Sequence, residues 1–173
     1  MSEVYLSIGG NLGDRLENLQ KCKSKISMQM GNIMKESSIY ESEAWGFDHP
    51  RNFYNQVISI QTDKNTEDIL RIAQSIEKDL GRIRSEHKAQ AYEGRTMDID
   101  ILLVDDQTID TEKLVVPHPH MHKRNFVILP LSEIAPKLMH PTLNKAIATL
   151  EEQCQDKGNI QKIHTKNLQD EQR

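Results

Sequence analysis

The sequence predicts an α+β sandwich in which helices cover a mostly antiparallel sheet. Three observations predict it: stretches with strand-like alternation, two amphipathic helical stretches set between them, and a βαββαβ order that accommodates both. A chain of 173 residues fits one domain and is long enough to enclose a real core.

Residues 4–8 alternate, with Val4, Leu6 and Ile8 on one face. The run Gly9-Gly10-Asn11-Leu12-Gly13 breaks that strand. It matches neither the dinucleotide-binding nor the P-loop pattern, so its expected role is structural, with Asn11 tying the turn by side-chain hydrogen bonds. Asp14 and Glu17 resemble a capping box, after which Leu16, Leu19, Ile26 and Met30 fall near helical spacing, up to Gly31-Asn32. Residues 33–40 read as a second strand and 53–61 as a third, separated by a loop containing Trp45, Gly46 and Pro50. Asn65 or Thr66 can cap a second helix with the stripe Ile69, Leu70, Ile72, Ala73, Ile76 and Leu80. A polar loop occupies residues 81–94, and 96–104 form the most strand-like segment of the chain. Asp105-Asp106-Gln107 then turns it towards a short partner at Thr108 and Ile109. Residues 117–141 read as loop and a short helix near 123–129, bent by Pro130, and 143–155 as a last helix. From this order a ferredoxin-like arrangement is expected, with helices on one face of the sheet. A single domain over residues 1–157 is expected, followed by a mobile tail at 158–173, where apolar residues are few.

Hydrophobic residues make up 36% and charged residues 28%, but the apolar ones are periodic, which argues against disorder. No apolar run is long enough to span a bilayer, and Met1-Ser2-Glu3 starts nothing like a secretory signal. Cys22 and Cys154 lack metal-ligand spacing and read as reduced thiols of a cytoplasmic protein. A net charge of −4 argues against a general nucleic-acid binder. The partners expected are therefore small molecules, with no nucleic acid and no membrane.

Chemistry concentrates in four places. In Thr96-Met97-Asp98-Ile99-Asp100-Ile101-Leu102, alternation puts Asp98 and Asp100 on one face, roughly 7 Å apart. Two carboxylates so placed repel, and a hard cation such as magnesium, shared with substrate phosphates, relieves the repulsion. Just before them lies a basic stretch with Arg82, Arg84, Lys88 and Arg95, cations suited to phosphate oxygens. Next comes Val116-Pro117-His118-Pro119-His120-Met121-His122. A transition-metal site is disfavoured there. His118 is read as a hydrogen-bond donor to phosphate with Arg124 nearby, whereas His120 and His122 are expected as exposed loop residues. Last, Trp45, Phe53, Asn55 and Phe126 offer the rings and the amide that a flat heteroaromatic ligand needs, although spacing alone also suits core roles for Phe53 and Phe126.

Together these strings resemble the 6-hydroxymethyl-7,8-dihydropterin pyrophosphokinase family. The resemblance runs from Leu6-Ser7-Ile8-Gly9-Gly10-Asn11-Leu12-Gly13-Asp14 through Phe53-Tyr54-Asn55-Gln56-Val57, EKDLGRIR at 77–84 and GRTMDIDILL at 94–103. It continues with LVVPH at 114–118, MHKRNF at 121–126 and LPLSEIAP at 129–136. It implies a ferredoxin-like fold and transfer of diphosphate from ATP to the pterin hydroxymethyl group, releasing AMP, in folate biosynthesis. Two magnesium ions on Asp98 and Asp100 are implied, with Glu77, Arg82, Arg84, Arg95, His118 and Arg124 around ATP. Arg84 and Arg95 are implied as catalytic arginines on loops that close over the substrates. The pterin is implied to stack between Phe53 and Phe126, bond Asn55, and touch Ser42, Glu43, Ala44 and Trp45. A monomer is the expectation. Departures from the family pattern fall at Glu43-Ala44, Tyr92, Lys113, Pro119 and in a longer stretch from 84 to 95.

Two other readings fit the sequence less well. A nucleotidyltransferase of the polymerase-β type needs its Gly-Gly or Gly-Ser shortly before the D-x-D, and here Gly10 and Asp98 are far apart. A ferredoxin-like regulatory domain would leave the paired aspartates unexplained, and the aromatic RNA-binding string is missing.

Overall fold

Alternation along the first strand organises the molecule around two cores. A computed structural model describes residues 1–81 and 94–164. In it, β1 (Ser2–Gly10) sends Val4, Leu6 and Ile8 into one apolar cluster and Tyr5 into the other, on the opposite face. Strands β4 (Phe53–Thr62) and β5 (Asp98–Val104) flank β1, both antiparallel to it. Beyond β4 lie β2 (Asn32–Glu36) and β3 (Ile39–Ser42), and β8 (Ile160–Ile163) closes that edge, giving the order β5-β1-β4-β3-β8 with β2 also on β4. Two interlocked βαβ units produce this order, so the fold is the expected α+β sandwich of ferredoxin-like type.

The crossover helices are α1 (Arg15–Gln29) and α2 (Thr66–Asp79). Asp14 caps the first by accepting from the Glu17 N–H at 3.0 Å. Asn65, not Thr66, caps the second, accepting from the Asp68 N–H at 2.9 Å. Their buried stripes, Leu19, Cys22 and Ile26 with Ile69, Ile72, Ala73 and Ile76, cover the Val4–Leu6–Ile8 face.

The opposite face is covered too, which corrects the one-sided expectation. There α3 (Asn125–Ile134) and α4 (Ile147–Glu152) pack Val127, Ile128, Leu131, Ile147 and Leu150 against Tyr5, Val57 and Leu103. A 3-10 turn at Met121–Lys123 precedes α3, and the helix runs on through Pro130. Burial of Val127, Ile128 and Leu131 sustains it past the missing N–H. α4 is shorter than residues 143–155 because the His140 ring nitrogen takes the N–H groups of Thr142 and Leu143, holding them in a turn.

Three further differences have local causes. The strand expected at 33–40 is split at Ser37, whose hydroxyl accepts the Val57 N–H at 3.0 Å and so replaces one rung of the ladder. Thr108 and Ile109 do not pair with β5; β6 (Ile109–Asp110) pairs with β7 (Val115–Val116). Residues 160–163, expected within a mobile tail, form β8 against β3, with Ile163 paired to Ile39 and Ile160 to Ser42. Their alternation is too short and too polar to register as a strand by pattern alone.

The pairing of β1 with β5 slips once along its length. Tyr5 faces Leu103 and Leu6 faces Ile101, so Leu102 is an extra residue on β5, a β-bulge. Val104 belongs to the α1–α2 core, Leu103 and Leu102 to the other, and Ile101 and Ile99 to the α1–α2 core again. Among the described residues no helix is long and apolar enough to cross a membrane.

Candidate active site

Because Ile99 and Ile101 point at the helices, Asp98 and Asp100 point to the other face, opposite Gly9 and Ser7 of β1. Both carboxylates are half-buried, and each meets an arginine. Arg95 Nη1 lies 2.8 Å from Asp98 Oδ2, and Arg124 Nη1 lies 4.0 Å from Asp100 Oδ2. Burial, then the charge of Asp98, pushes the Asp100 carboxyl up to about 7, against the pull of Arg124. Although 31% of its side chain is exposed, that surface opens into a cleft and not onto open solvent. Positive charge near this pair is therefore favoured beyond what the two arginines supply.

Two clefts meet at these carboxylates. The first lies over the sheet face and is lined by Ser42, Glu43, Trp45, Phe53, Asn55 and Phe126, with Phe47 and His120. Asn55 is buried and donates from Nδ2 to Ser42 Oγ at 2.7 Å, leaving its amide oxygen at the wall. Gly9 makes this arrangement fit: a Cβ there would strike Asn55 Oδ1 and come within 2.6 Å of the Tyr54 carbonyl. Phe47 meets Phe53 edge-on at 6.2 Å, and Trp45 lies 5.8 Å from the His120 ring. The Arg124 guanidinium sits over Trp45 at 4.5 Å and towards Phe126 at 5.8 Å.

The second cleft runs along the outer edge of β5, between α2 and residues 113–119. Gln74, Glu77, Lys113 and His118 line it, and Arg95, Asp98 and Asp100 are common to both clefts. Glu77 is buried and its Oε1 accepts the Ile99 N–H at 3.1 Å, so it occupies the edge of the strand that carries the aspartates. His118 is held to the same strand by its N–H, which donates to the Leu102 carbonyl at 3.0 Å, after a cis bond between Val116 and Pro117. Burial, then Arg124 and His120, pushes its imidazole down to about 4, against Asp98. A ring neutral at pH 7 whose Nδ1 accepts the His120 N–H (3.1 Å) carries its proton on Nε2, as a donor.

Asn11, expected only to tie a turn, reaches further. Its Oδ1 accepts the Arg95 N–H at 2.8 Å, its own N–H donates to the Arg95 carbonyl at 2.8 Å, and its Nδ2 donates to the Arg51 carbonyl at 3.0 Å. It thus fixes the backbone of Arg95 against the loop that carries Trp45. The structure brings together Ser42, Glu43, Trp45, Phe53, Asn55, Glu77, Arg95, Asp98, Asp100, His118, Arg124 and Phe126. Ala44 it does not: this residue lines a neighbouring surface groove with Asp48, His49 and Pro50. Arg82 and Arg84 lie outside the described residues. Sequence reasoning missed Phe47 and Gln74, which belong to none of the family-like strings, and took His120 and His122 for exposed residues. Both are half-buried: His120 lies against Trp45, and His122 sits 6.2 Å from the His140 ring.

A model of the 7,8-dihydro-6-hydroxymethylpterin-pyrophosphokinase (HPPK) family matches residues 5–136, a span that contains every residue lining the two clefts. The chain belongs to this family. Among HPPK relatives, the 2-amino-4-hydroxy-6-hydroxymethyldihydropteridine pyrophosphokinase of Porphyromonas gingivalis is 41% identical over 142 residues, covering 82% of this chain and 95% of the relative. The enzyme of that name from Aquifex aeolicus is 40% identical over 147 residues, covering 85% of this chain and 89% of its own. A crystal structure of wild-type Plasmodium falciparum HPPK-DHPS superposes over 88% of this chain with a TM-score of 0.68. The chain spans 44% of that longer protein, and at 15% identity the likeness carries the HPPK fold alone.

Proposed function

We infer that this chain transfers the diphosphoryl group of ATP to 6-hydroxymethyl-7,8-dihydropterin, giving AMP and the pterin diphosphate, as a step of folate biosynthesis. Family membership and relatives near 40% identity with that name support the reading. The observation that carries it is the pair Asp98 and Asp100, standing as the shared wall of an aromatic cleft and a basic one.

The residues fit divalent magnesium: two carboxylates on one strand face, and a protonation equilibrium at Asp100 calling for positive charge. The buried Arg124 Nε, without a partner among the described residues, is a donor suited to a phosphate oxygen. Asp98 and Asp100 would hold the ions, two being the family's number, and the bound charge would offset that of the triphosphate. Arg95 and Arg124 add fixed cations from either side, and His118 donates from Nε2 to a phosphate oxygen. Across the aspartates, Phe53 and Phe126 sandwich the pterin ring while Asn55, anchored on Ser42, reads its edge. The hydroxymethyl oxygen then attacks the β-phosphorus and gives up its proton to solvent, the bond from that phosphorus to the bridging oxygen breaks, and AMP leaves with that oxygen.

A monomer in the cytoplasm, with one domain that takes in residues 1–157 and also β8 at its edge, completes the proposal. Incubating the purified protein with MgATP and the hydroxymethyl-dihydropterin and resolving the nucleotides tests it. Pterin-dependent AMP is the expected product; ADP, or no turnover, refutes it.

A further inference from the structure

Helix α3 opens without a cap of its own. Arg124 occupies the N-cap position and makes no capping hydrogen bond through its side chain, which is turned instead to Asp100 and Trp45. The cap comes from a distant part of the chain: Asp156 Oδ2 accepts the Asn125 N–H at 3.1 Å, across a separation of 31 residues. Its other oxygen accepts the Gly158 N–H at 3.0 Å, and Asn125 Nδ2 donates back to the Gly158 carbonyl at 2.9 Å. Two bonds thus cross between the turn at 156–158 and the helix end, the one to Asp156 from the Asn125 N–H and the one from Asn125 Nδ2 to the Gly158 carbonyl. The residue after Asn125 is Phe126, whose ring lines the aromatic cleft.

The same segment then crosses to the facing wall. Asn159 Nδ2 donates to Glu43 Oε1 at 2.9 Å, the Asn159 carbonyl accepts the Glu43 N–H at 3.4 Å, and Ile160 pairs with Ser42. Residues 156–160 therefore tie together the two walls between which the pterin would lie. They follow the span matched by the family model and do not line the ATP cleft.

We propose that Asp156 and Asn159 are positioning residues for the pterin half of the site: Asp156 by capping α3 behind Phe126, Asn159 by holding Glu43. The proposal rests on the pyrophosphokinase reading. Neither residue touches the Arg124 side chain, which reaches to Asp100 and Trp45, and neither lines the cleft that holds Glu77 and His118, so binding of MgATP should be left largely intact.

Steady-state kinetics on the full chain test it. Asp156→Ala should raise the KM for the pterin about fivefold, the size of a lost cap, and Asn159→Ala about as much, the size of a lost hydrogen bond to a carboxylate, with the KM for MgATP within about twofold. Asp156→Asn retains one acceptor for the Asn125 N–H and should recover most of the loss. A pterin KM unchanged in both alanine variants overturns the proposal, as does a rise of both KM values in step. Asn159 lies at the surface, so its variant reports even where Asp156→Ala does not fold. A wild-type protein that yields no AMP overturns the pyrophosphokinase reading and this inference with it, whereas an active wild type with indifferent variants overturns this inference alone.

Discussion

Asp98 and Asp100 differ in their surroundings although they share a strand face. Asp98 has Arg95 at 2.8 Å, while Arg124 stands 4.0 Å from Asp100. Removing either carboxylate deletes half of the proposed cation site yet leaves no apolar cavity. Asp98→Ala and Asp100→Ala should therefore each lower AMP formation by about 1,000-fold or more, with an unchanged circular dichroism spectrum. A collapsed spectrum would instead make the pair structural. Phe126 contributes a ring to one cleft and nothing to the other. Phe126→Ala should weaken pterin binding by about tenfold in titration calorimetry while MgATP binding stays intact. The reverse pattern would count against stacking.

At the scale of elements, a carboxylate on α3 joins that helix to the break between β2 and β3. Glu133 accepts from the Ser38 N–H, the Ser38 hydroxyl and the Tyr40 hydroxyl, at 3.0, 2.7 and 2.7 Å. Burial works against its charge, but the bonds from Ser38 and Tyr40, with Lys162, outweigh it, and the carboxyl titrates below its ordinary 4.5. A depressed folded value means that this latch contributes fully above 4.5 and is lost as pH falls below it. Between about pH 6 and about pH 3 the urea midpoint should thus fall more for wild type than for Glu133→Gln, by a modest amount because the group is solvent-exposed. Equal falls would remove Glu133 from acid sensitivity. Elements with strong periodicity were legible in the sequence: β1, α1, α2, β4 and β5 lie close to where their patterns put them. The split at Ser37 was not, because one hydroxyl replacing a backbone rung leaves no trace in hydropathy.

For the whole molecule, the cores on the two faces of the sheet were only half foreseen. Order along the chain fixed the crossover helices on one side, but which face α3 and α4 would take depends on contacts remote in sequence. Both clefts were likewise legible as residue types and not as places. Trp45 and His120 meet only after folding, and the match of aromatic, acidic and basic strings to one family is what assembled them. β8 escaped notice for the same reason: it exists because the outer edge of β3 offers it unpaired backbone groups. A chain ending after Lys157 should therefore lose several degrees of thermal stability, about 4 °C or more, and aggregate more readily through the bared edge. Differential scanning calorimetry of that truncation checks this, and an unchanged Tm would return the segment to the role of a tail.

The extra residue in β5 has an implication of its own. Leu102 shifts the side-chain phase once, between the half of the strand anchored in packing and the half that carries Asp98 and Asp100. Were the same residues strung as a regular strand, with Leu102 taking its own turn in the alternation, the acids would be turned into the oily layer beneath α1 and α2. Loss of the Leu102 codon would not bring that about, because Leu102 and Leu103 already share a face and the shortened strand would alternate with Asp98 and Asp100 where they stand. The bulge thus takes up one surplus leucine at the packed end of the strand while both acids keep their side.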